Sequence, residues 1–122
     1  ARGRSALKDD SVYLQHILEC IQRIEEDTAA GVDAFRASRT HQDAVLRNLQ
    51  VLAESSQRLS SDLKSAWPQV EWKRIAAFRN VLVHDYLGLD LERIWQITQR
   101  DIAELKKSIE LILSVSRGKQ GL

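Results

Sequence analysis

The sequence contains few of the residues that interrupt or cross-link a chain. Its 122 residues include one proline and five glycines, which leaves little room for a turn-rich β architecture. The single cysteine, Cys20, excludes an internal disulfide and is typical of a reducing cytoplasm. No apolar run approaches the ~20 residues that span a bilayer, and no signal-peptide pattern opens the chain. We therefore expect a cytoplasmic protein that makes no contact with membranes.

The sequence also has almost no excess charge, since its formal net charge is +1. General nucleic-acid binders usually carry a strongly basic domain or stripe. Any contact with RNA must therefore be local, or must come from two copies that bring their basic patches together. Apolar residues make up 43% of the chain and charged residues 29%, which are the proportions of a globular protein. The length fits one domain, residues 1–122, in which we expect residues 1–8 and 117–122 to be flexible.

Two helices are expected in the first half of the chain, because apolar residues recur there at intervals of three and four. We expect Asp10 or Ser11 to cap the first and Gly31 to lie at or after its end. Thr40 followed by Asp43 resembles a capping box for the second. Phe35 should lie in the loop between them and reach the core. The two apolar stripes are Leu14, Ile17, Leu18, Ile21 and Ile24, and then Val45, Leu49, Leu52, Ser56, Leu59 and Leu63.

Two more helices are expected after the break at Trp67-Pro68. The third starts near Glu71. The short run 81–83 is ambiguous between helix and strand, but the helical spacing leading into it favours helix. The fourth follows Gly88, with Asp90 as its N-cap, and should continue without a break past residue 102 to about residue 116. We thus predict an all-α, up-and-down bundle of about four helices. The fourth stripe is Leu91, Ile94, Trp95, Thr98, Ile102, Leu105, Ile109 and Ile112.

Residues able to perform chemistry lie close together in one otherwise apolar segment, residues 79–86. Arg79 is a permanent cation whose donors suit a phosphate. His84 can accept or give a proton near neutral pH, and Tyr86 adds a hydroxyl. Asn80 lies four residues before His84, so on a helix it shares that face and can hold one ring nitrogen. An amphipathic helix needs none of these residues at these positions.

This segment resembles the signature of the HEPN superfamily, and most closely that of the HepT toxins. Their pattern is Arg, a polar residue, three further residues, His, one residue and Tyr, and the matching positions here are Arg79, Asn80, His84 and Tyr86. The likeness extends over the flanks 72–76 and 87–95. It is weaker over residues 12–60, where mainly the helical layout fits.

The resemblance implies a dimeric, metal-independent ribonuclease toxin of a type VII-like toxin–antitoxin system. It implies that Arg79 and His84 are catalytic, that Asn80 orients His84, and that the substrate is RNA. It further implies a minimal nucleotidyltransferase antitoxin, similar to MntA, which adenylylates Tyr86. No cofactor and no metal ligand are implied. A second hypothesis is that the chain is a non-catalytic HEPN bundle that binds a nucleotidyltransferase or a nucleotide. A third is that it is a plain helical interaction module.

Helical geometry complicates a site within one chain. Five residues turn an ideal helix by about 500°, so His84 lies about 140° round from Arg79. Either His84 sits at a fraying helix end, or two protomers share one site. The structural alternative is that Arg79 pairs with Asp85 or Glu92 and that His84 caps a helix.

Other candidate sites in the sequence are weaker. His16 and Cys20 lie four residues apart, but two ligands do not make a metal site. His41 should lie in a loop or at a helix start. The three tryptophans can in principle stack on bases, but their apolar neighbours favour core packing. These are Trp67, Trp72 and Trp95.

Overall fold

The computed structural model describes the backbone of residues 2–88 and 90–120, and the side chains of residues 9–80 and 90–118. Within these ranges the chain is helical and forms no β-strand. The predicted all-α class is therefore confirmed, as is the choice of helix over strand at residues 81–83. The α-helices are α1 (Arg2–Thr28), α2 (Val32–Ala37), α3 (Arg39–Gln57), α4 (Ser61–Ala66), α5 (Trp72–Gly88), α6 (Leu91–Gln96) and α7 (Ile102–Gln120), with a π-helical turn (Ile97–Asp101) between the last two.

Four long helical bodies build the bundle. They are α1, α3, α5 and the continuous segment formed by α6, the π turn and α7, while α2 and α4 are short helices in the connections. The most extensive packing joins α1 to α3 and α3 to α5, and α1 also packs against α7. None of the helices within the described residues is long and apolar enough to cross a membrane. The predicted flexibility of residues 1–8 and 117–122 stays a prediction.

The core consists of the apolar stripes that the sequence predicts. Most of their members are buried, and Phe35 joins them with only 1% of its surface exposed. The partly buried members are Leu18, Leu63, Leu91 and Trp95. Trp67, Trp72 and Trp95 are partly buried and pack against this core, as expected. The largest fully buried side chains are Phe35, Leu14, Ile17, Ile21, Ile24, Leu49, Leu52, Ile94, Ile102, Ile109, Ile112 and Val45.

Several predicted helix boundaries are wrong, each because a side chain has a different partner. Asp10 does not cap α1, which begins at Arg2. Its buried carboxylate instead accepts hydrogen bonds from Ser60, at 2.8 Å from the backbone N–H and 2.6 Å from the hydroxyl. Ser60 in turn caps α4 by accepting from the N–H of Leu63. The predicted long second helix therefore ends at Gln57, and Leu63 belongs to a separate short helix.

The connection between α1 and α3 also differs from the prediction. Gly31 does follow α1, with a φ of +99° that disfavours other residues. However, Phe35 lies in the short helix α2 rather than in a loop. The N-cap of α3 is Ser38, whose hydroxyl accepts from the N–H of His41, so the proposed capping box at Thr40 is wrong.

The π turn explains how the fourth predicted helix stays buried along its length. Asp90 caps α6 as predicted, accepting from the N–H of Arg93. In an ideal helix, Ile94 and Ile102 differ by about 80° in direction. One extra residue in a wide turn reduces that difference to about 20°. Both side chains are accordingly 1% exposed, and the helical segment is continuous past residue 102, as predicted.

Candidate active site

The helix that carries the candidate site, α5, begins directly after a turn at the only proline. The N–H of Val70 donates to the carbonyl of Trp67 at 3.2 Å, and the indole Nε1–H of Trp72 donates to the same carbonyl at 3.0 Å. Proline at position 68 disfavours helix at the residue before it. The turn therefore ends the preceding helix and fixes the first residue of α5, one residue after the predicted start.

Three side chains hold the first half of α5 in place. Ile75 and Phe78 are buried in the core. Arg74 reaches the π turn, where its Nη2 lies 3.1 Å and 3.2 Å from the two carboxylate oxygens of Asp101. The hydrogen bond to Asp101 raises the pKa of Arg74 above its usual value. The residues that follow, Arg79 and Asn80, thus lie on a helix that two buried side chains hold against the core.

Arg79 and Asn80 are both exposed on α5. Among the residues whose side chains are described, no carboxylate forms an ion pair with Arg79. Glu92, which the structural alternative offered as a partner, instead pairs with Arg36. That form of the alternative is therefore wrong, while Asp85 lies outside the described side chains. An exposed guanidinium without a carboxylate partner can bind an incoming phosphate without first losing an ion pair.

The other two motif residues, His84 and Tyr86, belong to α5, but their side chains lie outside the described residues. The backbone result still bears on the site. Because α5 extends to Gly88, the helix is continuous through both Arg79 and His84. The ideal separation of about 140° between their directions then applies. His84 lies four residues before the end of α5, so a site at the helix end and a site shared by two protomers both stay predictions.

The histidine and cysteine of α1 do not form a metal site. Nδ1 of His16 lies 3.0 Å from the hydroxyl of Ser55. Cys20 is fully buried, and this burial raises the pKa of its thiol, which disfavours the thiolate that binds metals. Within the described part of the chain, no group of three or more His, Cys, Asp or Glu residues is placed to hold a metal ion.

His41, the remaining histidine with a described side chain, has a structural role. It lies in the first turn of α3, as predicted, and its Nδ1 is 3.3 Å from a carboxylate oxygen of Asp27. The contact links the start of α3 to the end of α1.

Two features escaped the sequence reasoning altogether. One is the contact of Arg74 with Asp101, across 27 positions. The other is the ion pair of Lys106 with Glu25, across 81 positions. Each pair lines a cavity in the structure. No local spacing signals such pairs, because their partners meet only when the helices pack.

Comparison with known proteins identifies the family. Residues 17–112 match the family described as Ribonuclease HepT-like. The chain is 36% identical over 107 residues to "Gamma-glutamylcyclotransferase and putative RNase" of Methanocaldococcus jannaschii, covering 87% of this chain and 48% of that protein. It is 34% identical over 99 residues to "Probable ribonuclease HepT" of Thermococcus cleftensis, covering 80% and 90%. It is 30% identical over 106 residues to a "Putative RNase" of Methanocaldococcus jannaschii, covering 86% and 97%.

The chain thus spans about half the length of the first of these relatives and nearly the whole length of the other two. No solved structure matches it. The match over residues 17–112 includes every residue of the candidate site on α5. This chain belongs to the ribonuclease HepT-like family.

Proposed function

We propose that this protein is a metal-independent endoribonuclease, the toxin of a type VII-like toxin–antitoxin pair that acts in the cytoplasm. Its family and the names of its relatives support RNA cleavage. The observation that carries the proposal for this chain is the state of Arg79. Its guanidinium is exposed on α5 and has no carboxylate partner among the described side chains, which supports a role in binding a phosphate of RNA.

The residues suit a reaction in which the substrate supplies its own nucleophile. A neutral His84 takes the proton from a ribose 2′-hydroxyl, and the 2′ oxygen attacks the adjacent phosphorus. The bond from phosphorus to the 5′ oxygen breaks, and a protonated His84 of a second protomer gives that oxygen a proton. Arg79 stabilises the charge that grows on the phosphoryl oxygens. Proton transfer contributes roughly 10²–10⁴-fold, and charge stabilisation about 10²–10³-fold.

The shape of α5 supports a site shared by two protomers. On an unbroken helix, Arg79 and His84 point about 140° apart, too far to meet on one phosphate. A two-fold axis beside α5 brings Arg79 of one protomer towards His84 of the other. It also brings two copies of the local basic charge together, which a chain of net charge +1 requires. Asn80 shares the face of His84 and orients its ring.

Tyr86 supplies a means of control. A nucleotidyltransferase antitoxin, similar to MntA, transfers an adenylyl group from ATP to the phenolic oxygen and releases pyrophosphate. Each transfer adds a phosphate with a negative charge close to Arg79. The modification then occupies the place of the RNA phosphate and silences the enzyme.

The decisive experiment is incubation of the purified protein with mixed cellular RNA in the presence of a chelator. We expect cleavage by the wild type, ends that carry a 2′,3′-cyclic phosphate, and no cleavage of DNA. His84→Ala should be inactive at unchanged helicity. A requirement for added Mg²⁺, or equal cleavage by His84→Ala, contradicts the proposal.

The control by Tyr86 is tested with the cognate nucleotidyltransferase and ATP. The wild type should gain the mass of one or more adenylyl groups and lose activity. Tyr86→Phe should keep its activity because no step of cleavage uses the hydroxyl. Full silencing of Tyr86→Phe at the same dose refutes covalent control and leaves simple binding.

A further inference from the structure

A second cavity lies on the other side of the bundle, where the end of α1 faces the π turn and the start of α7. Its volume is about 420 Å³, which falls in the range of roughly 300–1,000 Å³ that small-molecule sites occupy. Its lining includes one aromatic side chain, apolar side chains and several polar groups. The lining residues used below are Glu25, Trp95, Thr98, Gln99, Ile102 and Lys106.

The π turn shapes one wall of this cavity. The N–H of Ile102 donates to the carbonyl of Ile97, five residues back, so this turn is wider than an α-helical one. The hydroxyl of Thr98 donates to the carbonyl of Trp95 at 2.7 Å, and the amide of Gln99 donates to that hydroxyl at 3.2 Å. π-Helical turns occur frequently at functional sites. Here Trp95, two residues before the turn, and Gln99, within it, line the same cavity.

Trp95 is the aromatic side chain that lines the cavity. One side of its ring packs on Phe35 of α2, with centroids 5.5 Å apart and planes tilted by 39°. The side chain remains partly exposed and lines the cavity. A tryptophan fixed in this position can stack on a flat ring such as a nucleic-acid base. Stacking of this kind accepts any of the bases, because every base has a π face.

An ion pair supplies the charged groups. Nζ of Lys106 lies 3.1 Å and 3.0 Å from the two carboxylate oxygens of Glu25, and both side chains are about half exposed. Ion pairs this exposed contribute little to stability, so a ligand that offers each group a new partner can separate them at small cost. Such a ligand needs an anion for the lysine and hydrogen-bond donors for the carboxylate.

We propose that this cavity binds a ribonucleoside monophosphate group. Its phosphate contacts Lys106, its ribose hydroxyls donate to Glu25, and its base lies against Trp95. Each pairing is ordinary chemistry: lysine binds phosphates as a point charge, a carboxylate accepts from a ribose hydroxyl, and bases stack on tryptophan. The group comes either from a free nucleotide or from one nucleotide of an RNA strand.

The cavity between α5 and α7 does not suit the same ligand. Its volume is about 290 Å³, and its charged lining residues are Arg74 and the three carboxylates of Glu71, Asp101 and Glu104. A phosphate there meets uncompensated negative charge, so the two cavities differ in the sign of charge that they accept.

The test is calorimetric titration of the full chain with AMP. Binding is measured without any cleavage, so the result is independent of the ribonuclease proposal. The chain provides matched controls, because exposed Lys107 and Glu26 adjoin the two charged residues and do not line the cavity. We expect Lys106→Gln and Glu25→Gln each to lower the affinity for AMP about tenfold. Lys107→Gln and Glu26→Gln should leave this affinity unchanged. Lys106→Arg should restore most of it.

Further ligands test each part and separate the two sources. Adenosine, which lacks the phosphate, and deoxy-AMP, which lacks the 2′-hydroxyl, should bind more weakly than AMP. If a 5′-phosphorylated RNA oligomer binds with the same dependence on Lys106 but AMP does not, the site holds a nucleotide of the RNA. The proposal is overturned if neither ligand binds, if Lys106→Gln and Lys107→Gln behave alike, or if inorganic phosphate alone binds as tightly as AMP.

Discussion

Helices α1 and α5 bury their residues in very different ways. The described part of α1 carries an apolar stripe in which Leu18 is partly buried and the other four members are at most 1% exposed. The described half of α5 buries only Ile75 and Phe78, at 6% and 3% exposed. It presents Lys73 and Arg79, among other residues, to solvent. The described part of α1 thus contributes a full stripe to the core, whereas the described half of α5 contributes two side chains and presents most of its residues to solvent.

The difference follows from the positions of the two helices. α1 packs against both α3 and α7, so it is covered from two directions, while the extensive packing of α5 within the described residues is against α3. A helix covered on one side needs only a narrow apolar stripe. Its remaining faces are then available for charged residues that bind substrate or for a second copy of the chain. We therefore expect substitutions in the core of α1 to change stability and substitutions on the exposed face of α5 to change cleavage, and this contrast can be tested.

The largest effect should come from Arg79→Ala. We expect RNA cleavage to fall at least about 10²-fold, because the charge that develops on the phosphoryl oxygens loses its cation. Unfolding by denaturant should be unchanged, since the side chain is exposed. The matched control is Lys73→Ala, which removes another exposed cation from the same helix. Equal loss of cleavage in both variants means that α5 contributes only general positive charge.

The opposite result is expected from Ile17→Ala on α1. Truncating this fully buried side chain should lower the free energy of unfolding by about 2–5 kcal/mol, through lost burial and the cavity left behind. Cleavage per folded molecule should stay the same. The control is Val12→Ala on the same helix, where the side chain is 61% exposed, and its effect should stay within about 0.5 kcal/mol. Loss of cleavage from folded Ile17→Ala removes the distinction drawn between the two helices.

Spacing predicted the helices well where burial alone decides them. The stripes of α1 and of the last helical segment were correct, as were the stripe of α3 as far as Ser56 and the cap at Asp90, because each depends on neighbours in sequence. Boundaries failed where a partner is distant. Asp10 has the residue type of an N-cap, but its hydrogen bonds run to Ser60, fifty positions away. The π turn was not predicted, because Thr98 also fits the apolar stripe of an ordinary α-helix. The turn improves the alignment of Ile94 with Ile102, and this alignment matters only once the helix packs against α1.

The candidate site was predictable as a motif but not as an arrangement. Sequence alone identified Arg79 and Asn80, and the structure adds that both are exposed and that Glu92 is engaged by Arg36. No spacing rule links positions 36 and 92, so only the fold excludes Glu92 as the partner of Arg79. Pairing of Arg79 with Asp85 and the catalytic role of Arg79 stay predictions. The roles of His84 and Tyr86 stay predictions.

A smaller effect is expected where α1 meets the start of α4. Asp10→Ala removes the acceptor of two hydrogen bonds from Ser60, one of them to a backbone N–H. Hydrogen bonds to a charged group contribute about 1.5–3 kcal/mol, and we expect a loss of stability of that order in denaturant titration. Asp9→Ala is the control, because its exposed neighbouring carboxylate should be dispensable. An equal loss in both variants indicates an effect of net charge rather than of these bonds.

The smallest effect is expected at the start of α5, and it isolates a single hydrogen bond. Trp72→Phe removes the indole N–H that donates to the carbonyl of Trp67, whereas Trp67→Phe keeps this bond because the acceptor belongs to the backbone. Both side chains are partly buried, so both variants lose similar apolar area. Trp72→Phe should therefore be less stable than Trp67→Phe by about 0.5–1.5 kcal/mol. Cleavage by both should be that of the wild type, since Ile75 and Phe78 still hold α5 on the core. If Trp72→Phe loses cleavage while its stability matches that of Trp67→Phe, the turn before α5 positions the site rather than merely starting the helix.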